Sequence, residues 1–254
     1  MTVVVPFPRE RRHTLHFLHA LRAVSPVHLD TEVDVSALQQ YRAGRPGAPS
    51  VLVHVLQAVG TVLAGHPDAN AAITGPGWAP RIVRYAHVDA KVTLDRRIGD
   101  TRAVVSAVVP DVDVASRSFL QARLARLRES APETLPETAG VRLLSRVPVP
   151  VGRWLFAAAT RGPGRHRRLG TVSVTSLGHR RVQRFFSCGG TAVTVGVGRV
   201  ADRPVAREGR VCVVPVLPLS LTFDHRVLDG ALAADVLDDL VSVLEATPEP
   251  EPGP

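Results

Sequence analysis

Apolar and polar positions along this 254-residue chain follow two rhythms, and the rhythms divide it into helices and strands. Pro8 to Ala23 has helical spacing, with Leu15, Leu18 and Leu21 on related faces. The stretch VHLDTEVDV (27–35) alternates with the strand period, and Ser36 starts a short helix. Pro49-Ser50 opens an apolar helix, VLVHVLQAVGTVLAG, which ends near Gly65 with Pro67 just beyond. Residues 87–94 and 102–109 read as strands joined by a turn through DRRIGD. A helix follows over Ser116–Arg128, then a loop over 129–140 rich in proline and acid. Residues 141–160 read as one amphipathic or buried helix, and 161–170 as a basic loop. Four more strands are expected at 171–175, 191–200, 211–216 and 219–223, then a helix from Asp229. The pattern lacks regular βαβ alternation, which predicts a mixed sheet in one α/β or α+β domain over residues 1–246. The closing stretch, 247–254, reads as a disordered tail.

Composition narrows the class. The chain is 45% hydrophobic and 21% charged, ordinary for a globular protein and long enough to bury a sizeable core. The most apolar stretch, 141–160, is interrupted by Arg142, Arg146 and Arg153, so no membrane span is expected. Cys188 and Cys212 lie 24 positions apart in apolar surroundings, which argues against a disulfide framework and for a reducing cytoplasm. The formal charge of +8 is carried almost wholly by arginine, with Lys91 the only lysine. The arginines are scattered and no aromatic platform interleaves them, so nucleic acid is not an expected partner. Their densest runs, 161–170 and 179–184, are either a solvated surface or a patch for the phosphates of a small anionic ligand. Glycine-rich nucleotide fingerprints are absent, since GVGRVA (196–201) lacks the spacing, and no metal is expected.

One short segment breaks the pattern. Between the apolar strand ending at Phe223 and the helix from Asp229 lies DHRVLDG (224–230), where four of seven residues are ionisable. An imidazole held between two rigid elements can take up a proton and return it near neutral pH. Asp229, at the expected helix N-terminus, suits the dipole and the free N–H groups there. As isolated residues these would read as a cap, a surface pair and a core histidine. Their clustering makes a proton-transfer site an equal reading.

The stretch LPLSLTFDHRVLDGALAADVLDDL resembles the end of the catalytic domain of dihydrolipoyl acyltransferases, the core components of 2-oxo acid dehydrogenase complexes. Its His-x-x-x-Asp-Gly is shared with chloramphenicol acetyltransferase and with condensation domains, although the latter carry a second histidine where this chain has Asp224. The resemblance continues through SPVHLDTEVDVSAL (25–38), VLQAVGTVLAGHPDANAAI (55–73), GTVSVTSLG (170–178) and the basic RERRHTLHFL, and so covers most of residues 8–246. It implies a chloramphenicol acetyltransferase-like two-layer sandwich with a mixed β-sheet. It implies His225 as general base and Thr175 as the hydroxyl that stabilises a tetrahedral oxyanion; alternation points Ser176 the other way. It implies Asp229 as a brace for the site, with Arg11 the best-spaced basic partner, and a homotrimer with active sites between subunits. The chain departs from the family pattern at RRIGDTRAVVSAVVPD and over 129–169, and reaches family-like sequence by residue 8 without a lipoyl domain.

These departures favour a stand-alone acyltransferase. It would move an acetyl or other short acyl group from a coenzyme A thioester, such as acetyl-CoA, to a hydroxyl of a small molecule, plausibly in tetronate- or polyketide-type specialised metabolism. The alternatives are the catalytic core of a 2-oxo acid dehydrogenase complex and, from another class, a non-catalytic trimeric scaffold.

Overall fold

The computed structural model describes residues 2–98, 101–131, 134–162 and 164–248. Its elements run α1 (Arg12–Ala20), β1 (Pro26–Asp34), α2 (Ser36–Ala43), α3 (Val51–Gly65), β2 (Ala71–Thr74), β3 (Arg81–Arg84), β4 (Ala90–Ile98) and β5 (Thr101–Val109). They continue through α4 (Arg117–Glu129), α5 (Ala139–Arg146), α6 (Val149–Arg161), α7 (Arg165–Leu169), β6 (Val172–Ser176), β7 (Val193–Val197), β8 (Ala201–Arg207), β9 (Arg210–Asp224) and α8 (Gly230–Glu245). One seven-stranded mixed sheet has the order β1-β9-β7-β6-β4-β5, with β8 also paired to β9. β6 is parallel to both β4 and β7, and the other pairs are antiparallel.

The register sorts the sheet's side chains into two contrasting faces. One face carries Val27, Leu29, Leu221, Phe223, Val193, Val195, Val172, Val174 and Val92. These join the apolar sides of α3 and α8 in a single core, including Leu56, Leu63, Val236 and Leu240. Burying such side chains stabilises the fold by about 1.5–3 kcal/mol each. α3 meets the loop after β5 so closely that a Cβ on Gly60 would stand 2.4 Å from the Val112 carbonyl oxygen. The opposite face is polar. Its cross-strand rows are His28–Thr222–Thr194–Ser173–Lys91 and Asp30–Ser220–Gly196–Thr175–Thr93. Thr93 continues the second row beyond the last recorded β4–β6 pair by hydrogen bonding to Thr175.

The α/β architecture with a mixed sheet is the one expected, and several local expectations change. Residues 211–216 and 219–223 are not two strands but parts of the single 15-residue β9. The DRRI of the expected turn continues β4, paired as far as Ile98↔Thr101, and the rest of that expected turn, positions 99–100, lies outside the described residues. The single helix expected over 141–160 is two, α5 and α6, broken at Val147, which is extended (φ −85°, ψ 156°) ahead of Pro148. The basic loop 161–170 contains α7. The β2–β3 hairpin and β8 were not anticipated. Of the expected tail 247–254, residues 249–254 lie outside the described residues. No helix of the described residues is long and apolar enough to cross a membrane.

Candidate active site

The turn after β9 is built by Asp224. Its buried carboxylate accepts from the Arg226 guanidinium (Nη2 2.5 Å, Nε 2.9 Å) and from the backbone N–H groups of Arg226 (3.2 Å) and Ser25 (3.3 Å). Burial alone would push this carboxyl up, but the bonds from Arg226 and Ser25 outweigh it and hold it below its ordinary value. The Asp224 carbonyl oxygen accepts from Val227 N–H (2.8 Å), closing the turn. His225 is thereby fixed at its backbone, where its N–H donates to Ser25 O (2.8 Å), and at its ring, 5.6 Å from that of Phe223. The imidazole itself is exposed in the isolated chain.

Asp229 caps α8, its Oδ1 accepting from Leu232 N–H at 3.1 Å. It also lines an open cleft of about 630 Å³ with Asp68, Ile82, Arg84 and Leu232. Within one chain Arg11 lies over the Phe7 ring, 5.8 Å from its centroid.

Thr175 lies elsewhere. Through the register Thr175↔Gly196↔Ser220 it is level with a β9 residue five positions before His225, and two strands away. At ordinary strand rise and spacing this separates the two Cα atoms by roughly 20 Å, too far for one small reacting group to touch both. Thr175 instead faces a cavity of about 1430 Å³ between the polar face of the sheet and helices α1, α5 and α6. Thr93 Oγ1 donates to Thr175 Oγ1 (3.0 Å), so the Thr175 proton remains available to an oxyanion. Ser176 points away as alternation requires, accepting weakly from Gly178 N–H at 3.4 Å. The structure therefore places His225 in the turn after β9 and Asp229 at the start of α8, with no bond between their side chains among the described residues, and leaves Thr175 apart from His225.

Sequence reasoning did not single out Thr93, Lys91 as a site residue, or His13. All three line the Thr175 cavity. His13 Nε2 is hydrogen bonded to Val104 O (3.0 Å), and burial pushes its pKa down, which favours a neutral ring. Lys91, fully buried, is pushed down to about 7, first by burial and then by the charge of Arg165. The 2.0-residue period of β4 puts Lys91 and Thr93 on one face and was the available signal. Of the arginines considered for phosphates, Arg167 and Arg168 line the cavity, whereas Arg184 is engaged by Asp30 (2.8 Å) and Glu32 (2.6 Å).

Comparison with known proteins shows what this chain is similar to. The family profile described as "2-oxoacid dehydrogenases acyltransferase (catalytic domain)" matches residues 166–250, a stretch containing Thr175, His225 and Asp229. Over that stretch the chain is similar to the catalytic domain of the 2-oxoacid dehydrogenase acyltransferases. The chain is 44% identical over 50 residues to the dihydrolipoyllysine-residue acetyltransferase component of the Bacillus subtilis pyruvate dehydrogenase complex, a match covering 20% of this chain and 11% of that one. The corresponding Staphylococcus aureus (strain Mu50) component is 40% identical over 50 residues, covering 20% and 12%. These matches thus span only about a tenth of the curated relatives' length. The fold match is much wider. A probable dihydrolipoamide acetyltransferase from Listeria monocytogenes superposes with a TM-score of 0.74 at 18% identity, covering 99% of this chain and 98% of that one. Dihydrolipoamide acetyltransferase from Azotobacter vinelandii gives 0.73 at 23% identity, covering 96% and 92%. The 2-oxoacid dehydrogenase acyltransferase fold therefore extends over nearly the whole chain.

Proposed function

We propose that the protein is a thioester acyltransferase of the dihydrolipoyl acyltransferase kind, working as a homotrimer whose active sites are completed between subunits. The observation that carries this reading is the separation of His225 from Thr175: each is held by its own strand end, about 20 Å apart within one chain, so a site that used both would have to be completed by a second chain. In the proposed step His225 takes the proton of an acceptor thiol or hydroxyl as that atom attacks the acyl carbonyl of a coenzyme A thioester. The Thr175 hydroxyl of a neighbouring subunit donates to the resulting oxyanion. When the intermediate collapses, the C–S bond breaks and the leaving thiolate receives the proton from His225. Asp224 and Arg226 brace the turn that aims the imidazole, and Asp229 anchors the helix beyond it. In the Azotobacter vinelandii enzyme the catalytic mechanism was probed at a serine, at a histidine 52 positions later, and at an asparagine four beyond that. Here Thr175 precedes His225 by 50 positions and Asp229 follows it by four, which supports the same division of roles.

The acceptor is the finer question. The curated relatives named above are acetyltransferase components of pyruvate dehydrogenase complexes, which favours a dihydrolipoyl thiol over the hydroxyl acetylation in specialised metabolism expected from the sequence. A hydroxylated small molecule remains the second reading, supported by the chain's departures from the family pattern at RRIGDTRAVVSAVVPD and over 129–169. The test follows thiol release from acetyl-CoA with dihydrolipoamide or a panel of hydroxylated metabolites, in wild type and His225→Ala. Loss of about 10²–10⁴-fold in turnover on removing the base is expected. Near-wild-type turnover in a folded His225→Ala variant refutes the assignment; if wild type also transfers nothing, the scaffold reading gains.

A further inference from the structure

Lys91 is the chain's only lysine, and it is 3% exposed in the wall of the Thr175 cavity. Its ammonium group donates to the carbonyl oxygen of Gly189 and lies 4.7 Å from the centre of the Phe17 ring. The next carbonyl, that of Gly190, accepts from Nη2 of Arg165. Two cationic side chains thus converge on successive carbonyls of one turn. The turn is seated tightly on the sheet: Gly189 N–H donates to Thr194 Oγ1 (2.9 Å), Ser173 Oγ donates to Gly189 O (3.2 Å), and a Cβ on Gly189 would stand 2.2 Å from that of Ser173. Neither cation is paired with a carboxylate among the described residues. Asp89, just before β4, instead accepts at its Oδ1 from Asp111 N–H (3.2 Å).

Arg165 supplies a second and independent observation. Its other terminal nitrogen, Nη1, is buried and has no hydrogen-bond partner. A buried N–H left unpaired costs about 1–3 kcal/mol, more when the group is charged. A buried ammonium beside a part-buried guanidinium whose Nη1 is unpaired, without a counter-charge, is unfavourable unless an anion joins them. A carboxylate meets both demands: its two oxygens accept from an ammonium and from a guanidinium N–H, and its single charge is easier to strip of water than that of a phosphate dianion.

We propose that Lys91, in the wall of the Thr175 cavity, and Arg165, beside it at the Gly189–Gly190 turn, form a binding site for a carboxylate of the substrate. The inference rests on the acyl-transfer reading only for which molecule brings the carboxylate, the acyl group or the acceptor. On the sheet, Lys91 pairs with Ser173, two residues before Thr175, so the two side chains are diagonal neighbours about 7–8 Å apart at their Cα atoms. A carboxylate a few bonds from the reacting centre can reach Lys91 while the carbonyl remains at Thr175.

A single lysine makes the test clean, since lysine labelled with 13C at Cε gives one side-chain signal. The intact protein is titrated with butanoate, with the neutral isostere butanamide and with inorganic phosphate. The Lys91 signal should shift and saturate with butanoate, stay still with butanamide, and respond about 10- to 100-fold more weakly in Arg165→Gln, as for the loss of one charge-assisted bond. Kinetic arms then identify the source. A butanoyl thioester is compared with its ω-carboxyl counterpart, and acceptors are compared with and without a carboxylate. Lys91→Met should lower kcat/KM about 10- to 100-fold for the carboxylate-bearing member of one pair alone. A Lys91 signal unmoved by butanoate, a response to phosphate alone, or equal losses on neutral and anionic partners overturns the proposal. The binding arm needs no turnover, so its failure is distinct from failure of the acyltransferase reading.

Discussion

Replacing Lys91 with methionine should make the protein more stable at neutral pH, and the gain should vanish in alkali. In the folded chain its pKa falls from 10.5 to about 7, chiefly because burial disfavours the charged form. The unfolded chain keeps the ordinary value, so between about pH 7 and 10.5 it binds more protons than the folded one. Wild-type stability therefore rises with pH across that window and is flat with respect to this group below it. Every tenfold loss of proton affinity corresponds to about 1.4 kcal/mol, so burying this amine costs on the order of 4 kcal/mol at pH 7. Methionine fills similar space without a charge and gives up one bond, to Gly189 O, worth about 1 kcal/mol. A net gain of about 3 kcal/mol follows at pH 7, or roughly 6–12 °C in Tm for a chain of this size. Urea unfolding of both proteins from pH 6 to 10.5 measures it. The two curves should cross towards the alkaline end, where only the lost bond to Gly189 O, about 1 kcal/mol, separates them. A variant destabilised at pH 7, or a difference constant with pH, refutes the account of Lys91 as an uncompensated buried amine.

Asp229→Ala should lose about 1 kcal/mol, seen as a Tm lower by roughly 2–4 °C, because α8 loses the carboxylate that accepts from Leu232 N–H. Asp224→Asn should cost about 2–3 kcal/mol at pH 7, since it strips a buried ion pair of its charge and leaves Arg226 unmatched. Because the Asp224 pKa is depressed when folded, this wild-type advantage is present above its ordinary value of 3.8 and is lost as pH falls through the lower folded value, which parallel acid titrations of unfolding will show. Thr93→Val should lower kcat about 3- to 10-fold at unchanged KM, by freeing Thr175 to turn its hydroxyl away from the oxyanion; steady-state kinetics reports the split.

The sequence carried the site more clearly than the surroundings that complete it. The turn at 224–230 was legible because a charged cluster between two apolar elements has few structural reasons to exist. Alternation alone assigned Thr175 and Ser176 to opposite faces. β9 was misread as two strands because Pro215 and Pro218 remove ladder donors. Both are accommodated through their carbonyl oxygens, which accept from Val35 N–H (3.0 Å) and Gly198 N–H (2.9 Å). The break between α5 and α6 was announced by Pro148, whose effect on the preceding Val147 outweighs the apolar periodicity of 141–160. Lys91 was visible only as a lone lysine. On a strand with polar residues on alternate positions it reads as solvent-facing, and its burial comes with Phe17 of α1 and the Gly189–Gly190 turn closing over the sheet, a long-range event that local pattern does not encode.

The central claim is that each active site takes His225 from one subunit and Thr175 from its neighbour, and subunit complementation tests it most directly. His225→Ala and Thr175→Ala proteins, each impaired alone, are unfolded together in equal amounts and reassembled, and mixed composition is verified by native mass spectrometry. If the site is shared in a cyclic trimer, about one interface in four pairs an intact His225 with an intact Thr175, so turnover should return to about a quarter of wild type. If both residues serve the same chain, every site in the mixture is defective, and mixed oligomers no more active than the two variants assayed separately would contradict the account.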